Sequence, residues 1–219
     1  MHKMKIIVDI YAKCGNIKKA RKQAATEGKD FMADTSEIVV HQGRPADETG
    51  RLKKEIAVYD LLDELGITYA RIDHEAIFTI EGCNSIDGVL GIHLCKNIFL
   101  CNTQKTKFYL LMMPGEKRFV TKDFCHQIES PRLSFAPREY MEEYLDITPG
   151  SVSVMGLMND HDHHVQMVID KDVLAEEYLG FHPCINTTSM RIAMKDLLEK
   201  FLPAVKHDYL TVDLAWQEQ

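Results

Sequence analysis

Three sites along this 219-residue chain carry residue types from which a reactive site could be built. Lys96 and Asn97 open an apolar strand, Gly150 precedes an alternating stretch, and His182 stands before a proline. A lysine offers a compact cation, and an asparagine both donates and accepts hydrogen bonds. A glycine lets the backbone approach a ligand closely, and a histidine can exchange a proton near neutral pH. Taken singly, each also has an ordinary interpretation, as a surface lysine, a turn glycine or a loop histidine.

A histidine-rich turn is the most conspicuous local motif, His161-Asp-His-His164. Histidine and carboxylate in one short segment can bind zinc. Neighbouring residues of a turn point in different directions, however, and no second ligand pair has metal spacing, so a solvated turn is favoured. We expect no metal and no other cofactor. The chain has no G-x-G-x-x-G, no P-loop and no G-x-S-x-G, so nucleotide-binding and serine-hydrolase classes lose their usual support.

The elements that must position these residues begin after residue 47. Residues 1–47 are predicted to be an N-terminal extension of unknown role, which leaves an interaction arm, a dimer contact and a dispensable segment open. An amphipathic helix follows, with apolar residues three and four apart from Leu52 to Leu65 and Gly66 at its end. The runs 96–102 and 107–113 are predicted to form a hairpin.

The second half of the chain mixes strands with short helices. We predict helices over 121–128, capped by Thr121, over 138–145 and over 193–202, with Pro203 after the last one. Further strands are predicted in a list of short runs: 37–41, 67–72, 132–135, 151–155, 165–169 and 212–214. Hairpins mixed with helices, without regular βαβ repeats, predict an α+β fold: a mixed, largely antiparallel sheet wrapped by helices.

Composition narrows the environment and the partners. The formal net charge is −7, which argues against a surface that coats nucleic acid, and we expect no DNA partner. Apolar runs reach about half a dozen residues where a membrane span needs about 20, so we expect no membrane association. None of the six cysteines forms a C-x-x-C pair, and we interpret them as free thiols of a cytosolic protein.

Together the motifs resemble one known family. His74-Glu-Ala-Ile-Phe-Thr79, Lys96-Asn-Ile-Phe-Leu100, Gly150-Ser-Val-Ser153 and Phe181-His-Pro-Cys-Ile-Asn-Thr-Thr188 occur in the order seen in the YbaK/prolyl-tRNA-synthetase-associated domain. The likeness is greatest to its free-standing ProX branch and covers about residues 48–214, so we predict an editing domain over 48–219. The resemblance implies a hydrolase that deacylates mischarged aminoacyl-tRNA in trans, with alanyl-tRNA(Pro) as the expected substrate.

The resemblance also implies the site. The family's catalytic lysine, asparagine and histidine fall on Lys96, Asn97 and His182, and its glycine-led loop begins at Gly150. Because an aminoacyl ester is already activated, the site need only position water and stabilise the carbonyl oxygen. Lys96 would meet a phosphate or the developing oxyanion, Asn97 the α-amino group or a water, and His182 a ribose hydroxyl or a proton. The residues expected to line a small amino-acid pocket are Ile77, Phe78, Thr79, Ser151, Val154 and Met155.

Two departures from the family pattern leave the substrate more open than the fold. The loop usually ends in proline, where this chain has Val154, and Glu75 replaces the proline of the H-P motif. The alternatives are a deacylase for another small amino acid such as cysteine, and a non-catalytic module that binds tRNA or an amino acid. The implied partners are the acceptor end of aminoacyl-tRNA, with prolyl-tRNA synthetase or an elongation factor. The oligomeric state stays open.

Overall fold

The computed structural model describes residues 38–76, 86, 88–93 and 95–216. Their first long element is helix α1, Lys53–Glu64, which buries Val58, Tyr59 and Leu62 on the face that the apolar spacing predicts. Leu52 stands just before the helix and is exposed. Gly66 follows the helix with φ +60°, a left-handed conformation that suits glycine and ends the helix.

A five-stranded sheet carries the predicted hairpin at its centre. Its strands are β3 (Cys95–Asn102), β4 (Phe108–Pro114), β5 (Leu133–Phe135), β6 (Val165–Asp170) and β9 (Tyr209–Val212), in the order β5-β3-β4-β6-β9. Strands β3 and β4 pair antiparallel with Lys96 opposite Met113, whereas β4–β6 and β6–β9 are parallel pairs. The sheet is therefore mixed.

Two hydrophobic cores cover the two faces of this sheet. Side chains alternate along a strand, so Phe99 and Cys101 of β3 join a large core, while Ile98 and Leu100 join a smaller one. Helices α1 and α3 (Arg138–Leu145) pack into the large core, and α2 (Thr121–Gln127) packs into the small one. Consecutive residues of β3 consequently serve different faces, which matters for Lys96 and Asn97.

The second sheet has four antiparallel strands. Its strands are β1 (His41–Gln42), β2 (Ala70–Asp73), β7 (Tyr178–Phe181) and β8 (Thr188–Ala193), in the order β1-β2-β8-β7. Strand β1 pairs with β2, so residues that the sequence places in the N-terminal extension contribute to this sheet. The compact unit to which they belong begins at Ile38. The expected α+β architecture is confirmed, but it contains two sheets where one was expected.

Three local predictions are wrong, and the strands predicted over 37–41 and 212–214 each share only one residue with the observed strand, His41 and Val212. Residues 151–155 do not form a strand: they are a loop that enters a 3₁₀ helix, Val154–Asn159. Thr121 is the first residue of α2 and not its cap, because the extended residue before it is Val120.

The third wrong prediction is the last helix, over 193–202. A short α-helical turn (α5, Met194–Asp196) leads into a π-helical turn, Leu197–Phe201, and then into α6, Leu202–Ala204. Pro203 therefore lies inside the helical segment. Proline has no N–H to donate, and the wider π turn lies directly before it. The short helix α4 spans Lys171–Leu174. No helix among the described residues is long and apolar enough to cross a membrane.

Candidate active site

His182 lies in the loop that joins β7 to β8. Its Nδ1 is 2.9 Å from the carbonyl oxygen of Thr188, and a carbonyl only accepts. Nδ1 therefore carries the proton, and in the neutral ring Nε2 is the acceptor. Burial lowers the pKa of His182, although the bond to Thr188 opposes the shift. At neutral pH the imidazole is uncharged and can accept a proton from water or a hydroxyl group.

His74 stands beside His182, with 6.2 Å between the ring centroids. Its Nδ1 lies 2.7 Å from the Glu75 carbonyl, which only accepts, so that nitrogen donates, and its Nε2 lies 2.9 Å from Ser189 Oγ. The sequence assigns His74 to a motif without giving it a role. The Glu75 departure does not disturb this contact, since the backbone oxygen of residue 75 accepts the bond.

Cys184 is the nearest described thiol to His182 along the chain. Burial raises the pKa of Cys184 to about 12, so its sulfur stays protonated and is a poor nucleophile. Cys101, Cys125 and Cys184 are free thiols. This agrees with a site that activates water and needs no covalent intermediate.

A network of charged side chains is linked to both histidines, because Asp73 directly precedes His74 and binds the hydroxyl of Thr188, whose carbonyl holds His182. Arg51 bridges Asp73 and the buried Glu55, and Arg71 also pairs with Asp73. Burial alone would raise the pKa of Asp73, but hydrogen bonds from Arg51, Arg71 and Thr188 outweigh it and lower that pKa to about 2. A cleft of about 320 Å³ opens above this network and includes Thr187 and Thr188 in its wall.

Lys96 and Asn97 begin strand β3, which packs against β7, the strand that leads to His182. Asn97 points to the large core, the side on which Phe181 and Cys184 also lie. Its Oδ1 is buried and has no hydrogen-bond partner among the described residues. A buried acceptor without a partner costs free energy, and at a site it marks the place where a ligand donor fits.

Lys96 points the other way. Its ammonium donates to the carbonyl of Gly115, at 3.1 Å, and to that of Lys117, both in the turn after β4. The structure therefore separates Lys96 from Asn97 across the sheet. The turn itself is fixed by the side chain of Lys117, which is fully buried between Asp170 and Asp172 at 2.8 and 2.9 Å.

From charge alone, five basic residues between positions 105 and 122 could either contact RNA phosphates or form a solvated surface: Lys105, Lys107, Lys117, Arg118 and Lys122. The burial of Lys117 decides its role. Its ammonium is saturated by two carboxylates and lies 5.2 Å from the ring of Trp216, so it is not available to a phosphate. Lys117 is a structural residue.

Gly150 has φ +95° and sits at the third position of a turn closed by the bond from Ser151 N to Thr148 O, 3.1 Å. Pro149 before it and the positive φ are typical of a type II turn. The exposed Gly150 and the buried Ser151 thus lie where the loop leaves the surface.

The rest of this loop is held by the core. Ser153 Oγ accepts from Met155 N at 3.2 Å and so caps the 3₁₀ helix. Val154 and Met155, predicted to line the pocket, are fully buried in the large core and support the loop from behind. Ser153 is extended (φ −143°, ψ 146°), the conformation that a following proline requires, so the family's proline would fit at position 154.

The remaining expected wall residues, Ile77, Phe78 and Thr79, lie outside the described residues. The histidine-rich turn, by contrast, is described, and its side chains diverge. His164 stacks on Tyr144 at 4.5 Å, whereas His163 contacts His207 at 4.9 Å. No group of three possible ligands that could hold a metal ion occurs within the described ranges, this turn included.

Comparison with known proteins identifies the family. A model of the aminoacyl-tRNA editing domain matches residues 74–200, more than half of the chain. The chain belongs to the aminoacyl-tRNA editing domain family. Among its relatives, the prolyl-tRNA editing protein ProX of Acetoanaerobium sticklandii is 32% identical over 158 residues, which cover 72% of this chain and 96% of that protein.

Two more distant proteins are also similar to this chain, one in sequence and one in fold. The prolyl-tRNA synthetase associated domain-containing protein 1 of Danio rerio is 26% identical over 178 residues, covering 80% of this chain and 95% of its own length. A solved structure described as a candidate trans-editing enzyme for prolyl-tRNA synthetase superimposes with a TM-score of 0.56 at 16% identity, over 76% of this chain and 99% of that one. At that identity the likeness establishes the fold alone.

Proposed function

We propose that this editing-domain chain is a trans-acting hydrolase that removes the amino acid from mischarged aminoacyl-tRNA, and that alanyl-tRNA(Pro) is its substrate. The observation that carries the proposal is the buried Oδ1 of Asn97, which has no hydrogen-bond partner within the described part of the chain and lies on the side of the sheet that holds the His182 loop. An α-ammonium group is a donor of matching chemistry, because it brings N–H groups to an acceptor that has none.

The reaction needs little from the protein. Water attacks the ester carbonyl carbon, the bond from that carbon to the ribose oxygen breaks, and the ribose oxygen takes a proton. Neutral His182, whose Nδ1 is already committed to Thr188, presents Nε2 to the attacking water or to a ribose hydroxyl. Backbone N–H groups of the loop that begins at Gly150 supply donors for the carbonyl oxygen.

The side of the sheet on which Lys96 lies favours one of its two possible roles. Its ammonium is held by two turn carbonyls, on the face away from Asn97. Of the two roles that a lysine could take, contact with a phosphate of the acceptor end fits this position better than contact with the ester oxygen. Loss of a hydrogen bond to a charged group costs about 1.5–3 kcal/mol, or about 10–150-fold in rate when the bond is made in the transition state.

The packing behind the loop that begins at Gly150 supports selection of the amino acid by size. With Val154 and Met155 packed in the core, the loop cannot retreat without opening a cavity. Ile77, Phe78 and Thr79 remain the proposed opposite wall. Rejecting a larger ligand is easier than rejecting a smaller one, so such a pocket would admit alanine and spare proline. We place the activity in the cytosol, with prolyl-tRNA synthetase or an elongation factor as the protein that passes on the acceptor end.

A panel of esters tests the proposal. The full chain is incubated with alanyl-, cysteinyl-, seryl- and prolyl-tRNA(Pro), alongside Lys96→Ala and a control, Lys195→Ala, whose side chain is 76% exposed on a distant helix. We expect release of alanine, sparing of proline, at least about tenfold loss in Lys96→Ala and no loss in Lys195→Ala. Release of cysteine in place of alanine would move the substrate to another small amino acid. Retained tRNA binding without release of any amino acid would favour the binding module.

A further inference from the structure

Three consecutive residues at the start of β8 hold both histidines of the site. The carbonyl of Thr187 accepts from the backbone N–H of His74 at 2.9 Å, and the carbonyl of Thr188 accepts from His182 Nδ1 at 2.9 Å. The hydroxyl of Ser189 reaches His74 Nε2 at 2.9 Å. The tripeptide 187–189 therefore sets the orientation of both rings, and anything that moves it moves them together.

The side chain of Thr188 anchors this tripeptide from the opposite side. Thr188 is 1% exposed, and its Oγ1 lies 3.0 Å from Asp73 Oδ1 and 3.3 Å from Glu55 Oε1. A hydroxyl has one proton, so it donates to one carboxylate at a time, and Asp73 is the nearer. Arg51 joins both carboxylates and keeps the acceptor charged.

We propose that Thr188 is a positioning residue: its hydroxyl, bound to the Arg51–Asp73–Glu55 network, fixes the carbonyl that holds His182 with Nε2 free to accept. The proposal rests on the proposed function for its catalytic consequence, but its structural core concerns His182 alone. Which nitrogen of an imidazole carries the proton is set by the bond that the other nitrogen makes. Without the anchor, the ring can turn and present Nδ1, and the two neutral forms mix.

A purely structural role for a buried threonine predicts something different. In that case loss of the hydroxyl lowers stability and leaves the protonation pattern of His182 as it was. The two roles separate in a measurement that reads His182 directly, and in the division of an activity change between kcat and KM. Charge-assisted hydrogen bonds are about twice as strong as neutral ones, so we expect a kcat loss of about tenfold with KM within about twofold.

The experiment compares the full chain with Thr188→Val, which keeps the shape and removes the hydroxyl, and with Thr188→Ser, which restores it. Thr188→Ala is a second variant that also removes the hydroxyl, with the same expected effect, in case Thr188→Val does not fold. Thr211→Val, at an exposed position of the other sheet, is the control for the substitution itself. The ¹⁵N signals of the His182 ring, assigned with His182→Gln, report which nitrogen is protonated, and alanyl-tRNA(Pro) deacylation reports kcat and KM.

We expect a single Nδ1-protonated form in the wild type, in Thr188→Ser and in the control, and a mixture in Thr188→Val and Thr188→Ala with the stated kcat loss. Unchanged His182 signals in folded Thr188→Val or Thr188→Ala would overturn the proposal, whatever the activity. A wild-type chain that deacylates nothing would refute the proposed function, and the ring signals would still decide the role of Thr188.

Discussion

Asn97→Leu is expected to raise stability and to slow deacylation in the same variant. Leucine is close to asparagine in shape, and it replaces an amide whose Oδ1 is buried without a partner among the described residues. A buried unsatisfied acceptor costs about 1–3 kcal/mol, and the lower half of that range applies because the Asn97 side chain is only half-buried. At about 2–4 °C per kcal/mol for a chain of this size, the midpoint of thermal unfolding should rise by a few degrees.

The same strand provides a matched control of opposite sign. Asn102, at the other end of β3, accepts from the N–H groups of Thr106 and Lys107 at 2.8 and 3.2 Å and is 7% exposed. Asn102→Leu leaves those donors without their acceptor, so we expect a loss of about 1–3 kcal/mol with deacylation kept in the folded protein. Calorimetry and initial rates of alanine release are measured on both variants.

The two variants should differ in both measurements. Asn97→Leu should be the more stable and should lose about 10–150-fold in rate, the equivalent of one hydrogen bond to a charged group. If Asn97→Leu unfolds at a lower temperature than the wild type, the Oδ1 of Asn97 accepts a stabilising hydrogen bond in the folded chain. If it keeps full activity, the α-ammonium group does not use this oxygen.

Three further predictions concern stability. Lys117→Met leaves the buried carboxylate of Asp170 without its ion pair and should lower the free energy of unfolding in urea by about 3–5 kcal/mol. Lys171→Met removes the exposed ion pair with Asp213 and should lower it by less than about 1 kcal/mol. Equal losses in the two variants would refute this distinction. Val154→Pro should shift the thermal midpoint by no more than about 4 °C, and a larger fall would mean that the loop cannot take the family's proline. Because burial lowers the pKa of His182 and of His207, the unfolded chain binds more protons below about pH 6.5; stability should therefore fall as pH drops from 6.5, and a midpoint that is flat between pH 7 and 5 would contradict this.

The elements that local patterns decide were predictable. Helix α3 has the predicted bounds, Arg138–Leu145, and the hairpin of β3 and β4 lies within a residue or so of its expected place. Apolar periodicity is a property of each segment by itself, so it survives without tertiary information. The alternation Ser-Val-Ser-Val over 151–154 predicts a strand by the same rule and fails there, because tertiary contacts decide.

Gly156 shows why. A side chain at that position would meet Ile147 Cδ1 at 2.5 Å and Leu145 Cβ at 2.9 Å. The chain therefore passes close against the end of α3, and the 3₁₀ turn capped by Ser153 follows. The approach of two segments that are about ten residues apart is invisible to a pattern of period two.

Some residues of the site could likewise be named from the sequence, and others could not. Lys96, Asn97 and His182 could be named because family motifs preserve residue order, but motif order does not say which way a side chain points. The pleat of a strand sends Lys96 and Asn97 to opposite faces of the sheet. Thr188 could not be assigned a role. Its partners Asp73 and Glu55 are 115 and 133 residues away, and no local signal joins them.

Catalytic turnover is the most direct test of the proposed function. A limiting amount of the full chain is mixed with excess alanyl-tRNA(Pro), and the free alanine is counted per chain over time. We predict many equivalents of alanine per chain, with prolyl-tRNA(Pro) left intact under the same conditions. Release of no more than one equivalent, from a chain that still binds the tRNA, would contradict the hydrolase and leave a binding protein with the editing-domain fold.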